Sequence, residues 1–293
     1  MSERASTTSV GRVGSSRREA ARRGWSRWSE RAARYILLLS ITLIFLFPLL
    51  YLVNIALKTP QNYLFDPSGL TSSLDVANFS NAWAAGDFGL LIKNTLLYTV
   101  AATVLSVACS LFVAFPIARR YVRWSGIWYT FFVMALFLPD NLIPQFQLLL
   151  KLGLYNTPLG YVLLMSGVGL GPFLITGYLT SVPRELYEAA SVDGCGYIRY
   201  VLIIIVPLIK PILVTASVLQ SIGVWNEIIR PTVMLTSHAY APVSQGLFAF
   251  YGEYTDSWTL LAAAVLIVAA PMLILYVCLQ RFFIEGALSG AVK

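Results

Sequence analysis

ELYEAASVDGCGYIRYVLIIIVP, residues 185–207, is the stretch on which the fold turns. It carries Glu185, Glu188 and Asp193, three of 14 acidic residues in a chain that is 57% hydrophobic and only 12% charged. Apolar runs adjoin it on both sides, and their length identifies the solvent. Six apolar blocks, near 35–57, 95–118, 126–148, 158–182, 207–229 and 258–282, each approach the ~20 residues that cross ~30 Å of hydrocarbon. The mean hydropathy of +0.71 argues against a soluble domain, whose helices rarely stay apolar on every face for so long. Within lipid each block must satisfy its own backbone hydrogen bonds, so each is read as a helix. The expectation is an all-α integral membrane protein with six transmembrane helices. A basic arm, 1–34, precedes a six-span domain, 35–293. The first block is too long, and lies behind too long an arm, for a cleaved secretory signal.

Positive charge orients the bundle. The arm holds Arg4, Arg12, Arg17, Arg18, Arg22, Arg23, Arg27, Arg31 and Arg34. Arg119, Arg120 and Arg123 crowd the second–third connection. Arg184, Arg199 and Lys210 lie about the fourth–fifth connection, and Arg281 and Lys293 follow the last block. The opposite side keeps Lys58, Lys93, Lys151 and Arg230, so 17 of the 21 basic residues share one side. That side is expected to be cytoplasmic, with both termini inside. The arm, with Trp25 and Trp28, suits the anionic lipid surface and gives no reason to invoke nucleic acid.

The opening stretch therefore faces the cytoplasm. Pro183 ends or redirects the fourth block, and RELYEAASVD then reads as a short helix with Leu186, Ala189 and Ala190 on one face. Gly194 or Gly196 can take the positive φ of a sharp turn. Apolar sequence resumes at Tyr197, with Pro207 and Pro211 near the start of the fifth block. The loop 183–206 reads as a helix–turn–helix built to be gripped from the cytoplasm.

Here the residues match a family. Glu188-Ala189-Ala190, then Gly194, then Ile204 and Val206-Pro207, resemble the EAA motif of ABC importer permeases, with Val206 where the usual pattern has Leu. Asn94-Thr95-Leu96, LPDNLIPQFQLLLKLGLYNT at 138–157, Trp225-Asn226-Glu227 with Arg230-Pro231, and the ending QRFFIEGALSGAVK resemble the carbohydrate group that contains the maltose-transporter permeases. The resemblance implies that Glu188, Ala189, Ala190, Gly194, Ile204 and Pro207 form a coupling helix and turn that dock on a cytoplasmic ATPase subunit. It implies a second related permease, with which this chain encloses a pathway, and an extracytoplasmic solute-binding protein. It implies a bacterial inner membrane as the location. The tail, 283–293, is expected to reach the ATPase. The outer loop, 231–257, with His238, Tyr240, Gln245 and Gly246, is expected to meet the binding protein.

The chain itself has no GxxxxGK[ST] loop for phosphates and no HExxH or GxSxG pattern. ATP and Mg are thus expected on the partner ATPase, no cofactor or metal on this chain, and no catalytic role for it. Cys109, Cys195 and Cys278 are single and far apart, unlike a metal-binding pair. An integral-membrane enzyme would need intramembrane acid or histidine clusters that the sequence lacks, and a stand-alone channel has no use for the 188–207 motif. Polar groups within spans are costly and mark function. Asp140 and Asn141 lie between Pro139 and Pro144, a pair that should break the third helix. With Gln145, Gln220, Asn226 and Glu227 they are the candidates for the substrate pathway. The implied cargo is a di- or oligosaccharide, with a polyol or glycerol-phosphate as the alternative. No fixed cation in mid-span invites a phosphate.

Overall fold

The computed structural model describes residues 10–71, 74–139, 141–183, 185–250 and 257–291, all of which form helices or their connections, with no strand among the described residues. The first apolar block is the end of α1 (Val10–Ala56), one helix of 47 residues that takes in the basic arm from Val10 onward. Two short helices, α2 (Pro60–Phe65) and α3 (Ala77–Ala85), cap its far end. The α2 start follows its sequence. Thr59 caps it by accepting the Asn62 N–H at 3.2 Å, and Pro60 occupies the first turn, where no N–H is needed. Asn78, within an Asn-Phe-Ser triplet that could have marked a glycosylation acceptor, is 3% exposed. Its amide donates to the Ala56 and Lys58 carbonyls instead.

The second block is α4 (Phe88–Ala118), 31 residues long and the helix around which the others gather. The third divides into α5 (Ser125–Ala135) and α6 (Leu142–Lys151), with the break around Pro139 as expected. The fourth also divides, into α7 (Pro158–Met165) and α8 (Gly171–Leu179), which the block pattern did not indicate. Then come α9 (Glu185–Val192), α10 (Tyr197–Leu208) and α11 (Lys210–Trp225). A turn of π-helix, Tyr200–Ile205, lies inside α10, and the chain bends by 83° between α10 and α11 at Ile209. Pro207 and Pro211 flank that bend, and each removes an N–H that a continuous helix would use. The rest is α12 (Ile229–Met234), α13 (Val243–Gly246) and α14 (Trp258–Ala291). A 3-10 turn at His238–Tyr240 precedes α13, and another at Leu247–Phe250 follows it.

Among the described residues three helices are long and apolar enough to cross a membrane alone: Arg31–Ala56, Phe88–Ala118 and Trp258–Cys278. A fourth crossing exists if the bent pair α10–α11 counts as one. The expected third and fourth spans are pairs of helices, each too short to cross at 1.5 Å per residue. The described residues are thus all-helical, with three to four continuous apolar spans. Most side chains of α1 from Tyr35 to Leu50 are exposed, Phe45 to 79%, which suits contact with lipid.

Packing uses small residues, as expected where lipid offers no hydrophobic drive for helix association. Ala262, Ala263 and Ala264 of α14 are buried against Ala56, Ala82 and Trp225. The start of α8 lies so close to α4 that a Cβ on Gly171 would fall 2.2 Å from Ser110 Oγ and 2.6 Å from its Cβ. Gly171→Ala should therefore destabilise the protein by about 1–3 kcal/mol, read as a lower melting temperature in detergent. Ser110→Ala should not relieve the clash, whereas Ser110→Gly should recover part of the loss.

Candidate functional site

The segment expected to couple, 183–206, is built on a helix end. In α9 the Cys195 N–H donates to the Ala190 carbonyl at 2.9 Å and the Gly194 N–H to the Ser191 carbonyl at 3.1 Å. Gly194 has φ +73. This is the Schellman pattern, which closes the last turn and sends the chain back on itself. Of the two glycines read as candidates for the turn, only Gly194 has positive φ; Gly196 has φ −68 and starts α10. Leu186, Ala189 and Ala190 do not act as one face. Ala190 is buried in the core with Leu179, Val182, Tyr200 and Val201, while Leu186, Glu188 and Ala189 face outward with Val192, which is 88% exposed. Ile204 packs against the same core, and Pro207 is exposed beside the bend.

Beneath α9 lies an aromatic cluster. Phe115, in the last turns of α4, meets Tyr197 at 5.4 Å and Tyr121 and Tyr200 at 6.0 Å, all edge-on. Tyr187 of α9 meets Tyr200 at 5.1 Å and Tyr121 at 5.7 Å. Arg119, 6% exposed, donates through Nη1 to the Val182 carbonyl at 2.8 Å, tying the end of α4 to the segment that leaves α8. Edge-to-face pairs of this kind add about 0.5–1.5 kcal/mol each beyond the area they bury. The α9 segment is thus fixed to α4 and α8. The 83° bend separates it from α11.

The pathway candidates separate into groups. Asp140 lies outside the described residues. Asn141, Gln145 and Glu227 join one network: Gln145 donates to Asn141 at 2.5 Å, Arg230 donates to Gln145 at 3.3 Å, and Arg230 pairs with Glu227. Glu227 also accepts the N–H groups of Ile229 and Arg230, capping α12. These side chains latch α6 to the end of α11. Asn226 is exposed and lines an apolar cleft of about 390 Å³ with Trp225, Leu247, Val268 and Met272. Gln220 stands apart from both, at the break between α7 and α8.

That break is the feature sequence reasoning missed. Over 166–170 the helix opens and leaves carbonyls without helical partners. Gln220 of α11 donates to Met165 at 2.7 Å; Ser106 and Ser110 of α4 donate to Gly167 at 2.9 Å and Val168 at 3.2 Å. Gly169 has φ +41. Ser106, Ser110, Gly171 and Gln220 line a small cavity of about 60 Å³ there, large enough for water. The signal was SGVGLG at 166–171, three glycines in mid-block, together with serines on the neighbouring helix.

The outer loop is strapped to the bundle. Asn94 donates to the Ala239 and Ala241 carbonyls, Tyr98 donates to the Tyr240 carbonyl, and Thr95 accepts the Val243 N–H. Asn156, at φ +55, accepts the N–H groups of Thr236 and Ser237, both at 3.0 Å. His238 and Tyr240 are exposed and Gln245 is half-buried. Gly246 is buried, and a Cβ there would fall 2.6 Å from Leu91 Cδ1. Its place is close packing, not surface contact. Residues 251–256 of the expected loop lie outside the described residues.

A family model described as the binding-protein-dependent transport system inner membrane component matches residues 20–286. The chain belongs to this family. The permease is 29% identical to the melibiose/raffinose/stachyose import permease MelC of Bacillus subtilis (strain 168), over 74% of this chain and 80% of the relative. It is 31% identical to the probable ABC transporter permease YurM of the same organism, over 84% and 83%. It is 28% identical to the arabinooligosaccharides transport permease AraQ of Halalkalibacterium halodurans, over 86% and 93%. A crystal structure of a bacterial ABC transporter involved in the import of the acidic polysaccharide alginate contains a chain of the same fold. The TM-score is 0.77 at 22% identity, over 88% of this chain and 98% of that one. The permease is thus a non-catalytic, multi-pass component of a bacterial plasma membrane transport system.

The straps of the outer loop are testable on the isolated permease. Asn156→Ala removes the one oxygen that accepts both bonds and places a residue less suited to positive φ. It should cost about 2–3 kcal/mol and expose 236–241 to limited proteolysis. Asn156→Gly keeps the conformation but loses both bonds, and should fall between Ala and wild type.

Proposed function

We propose that the permease is one of two related membrane subunits of an ATP-driven importer, and that the pair encloses the pathway for a di- or oligosaccharide. The observation that carries this reading is α9. It is a short helix with an outward face of Glu188, Ala189 and Val192, closed by the Gly194 turn and bolted through Tyr187, Tyr200 and Arg119 to α4 and α8. A surface helix that only filled space would need no such rigid mounting. In this proposal α9 docks on the cytoplasmic ATPase subunit, where ATP and Mg are used. ATPase closure then moves α9, α4 and α8 together, and the bundle alternates between inward- and outward-open states. The tail that continues α14 past Phe282 lies at the same interface.

The proposed topology has six crossings and cytoplasmic termini, the broken pairs α5–α6 and α7–α8 each serving as one. Broken helices that line a cavity are a usual transporter device, and Gln220 and Ser106 at the second break supply amide and hydroxyl groups suited to a sugar. Asn141, Gln145 and Glu227 act at its outer end as the latch described above. Names of two relatives, which specify oligosaccharide import, support the substrate class. The extracytoplasmic solute-binding protein meets the exposed turn at His238 and Tyr240, with Gln245 beside it.

A series at Gly194 tests the docking. A Cβ there meets nothing within 4 Å, so any cost is torsional. Asn tolerates positive φ, Ala loses about 1–2 kcal/mol, and a β-branched residue loses more. Transport by the assembled complex should fall in the order Gly, Asn, Ala, Val, with the permease still in the membrane. Uptake by Gly194→Val equal to wild type would refute the role. Glu188→Lys should reduce the ATPase retained when the permease is purified in mild detergent.

A further inference from the structure

The segment after α1 pairs its backbone with protein side chains, although Gln61, Asp66 and Ser68 stay exposed. Lys58, 1% exposed, donates through Nζ to the carbonyls of Asp66 and Pro67. Tyr51 donates to the same Pro67 carbonyl at 3.2 Å. Asn54 donates to the Gly69 carbonyl at 2.9 Å and accepts the Thr71 N–H at 2.8 Å. The Asp66 carboxylate accepts the Gly69 N–H. Large apolar side chains turn outward: Leu64 is 71% exposed, Phe65 90% and Leu70 90%.

Depth follows from the anchor residues. Tyr51 and Asn54 lie in the last two turns of α1, so the chain at 67–71 doubles back beside the helix. Tyr51 is five residues before Ala56, the end of α1, or about 7 Å along the axis at 1.5 Å per residue. Irregular backbone at such a depth is tolerated only if protein groups satisfy it, and here lysine, tyrosine and asparagine do so. On α1 itself Ile44, Phe45 and Phe47 are likewise exposed. Asp66 and Lys58 keep the segment from the hydrocarbon centre and set it at the boundary between headgroups and acyl chains, about 5–10 Å deep.

We propose that α2 and the turn 66–71 form an interfacial wedge, with Phe65 and Leu70 inserted in the leaflet that holds the C-terminal end of α1. The partner is the lipid surface itself. The wedge fixes the height of α1, whose other contacts with the bundle run chiefly along α14, and so resists its sliding while α4, α8 and α9 move.

Spin labels read this directly. The full chain, with Cys109, Cys195 and Cys278 changed to serine, would carry Phe65→Cys or Leu70→Cys in vesicles of phosphatidylethanolamine and phosphatidylglycerol. His238→Cys, on the exposed outer turn, is the water-facing control. Oxygen, which concentrates in lipid, should relax the labels at 65 and 70 more than a water-soluble nickel chelate does, with the order reversed at 238. Stronger relaxation by nickel at 65 and 70 would mean a water-facing loop and overturn the proposal. Poor access by both reagents would mean that protein covers the face, and would overturn it equally. If Leu70→Cys fails to insert, Leu64→Cys on the same face replaces it under the same criteria.

Discussion

A backbone that leaves its helix inside a membrane must find hydrogen-bond partners within the protein, because lipid supplies none. The same kind of pairing, loop backbone to side chains of other segments, recurs at three irregular points among the described residues. At 165–168 the partners are Gln220, Ser106 and Ser110. At 66–71 they are Lys58, Tyr51 and Asn54. At the outer loop they are Asn94, Tyr98 and Asn156. The first and last sets come from elements more than 50 residues away in sequence, so those irregular points also fix tertiary contacts. Breaks of this kind create polar cavities, and the bonds that stabilise them hold the bundle in register.

The helix α4 is where these obligations converge. Its first turns hold the outer loop through Asn94, Thr95 and Tyr98. Its middle patches the α7–α8 break, and Thr103 bonds Ser221 of α11 at 3.1 Å. Its last turns carry Phe115 and Arg119 under the coupling segment. One helix therefore touches the α9 segment at one end and the 236–243 loop at the other. In the proposed mechanism a displacement of α9 would follow this helix of 31 residues.

Much of this was legible from residues 35 onward. Block length gave the membrane class, since crossing hydrocarbon demands a fixed run of apolar residues. The pair Pro139 and Pro144 indicated the α5–α6 break, because proline cannot donate to the helix ladder. The turn after α9 was narrowed to Gly194 or Gly196, because glycine reaches positive φ without strain. These signals are local: the residue that carries the information also bears the physical constraint.

The α7–α8 break shows where local reading stops. SGVGLG marks a weak point, but glycine alone does not open a helix in lipid. Ser106, Ser110 and Gln220, 50 or more residues away in sequence, provide the bonds that let it open. The same holds for α9, where helical spacing put Leu186, Ala189 and Ala190 on one face. Only the position of Tyr200 and Val201 decides that Ala190 is buried and Ala189 presented. The polar residues Asn141, Gln145 and Glu227 stood out from the sequence by their cost in a span. That they meet one another through Arg230 depends on how α6 crosses the end of α11. The sequence by itself determined the class of the fold, its apolar blocks and its coupling motif, because periodicity and chain stiffness act within a few residues. The tertiary structure decided which breaks open and which faces remain exposed, because those depend on partners that only packing brings within a hydrogen bond.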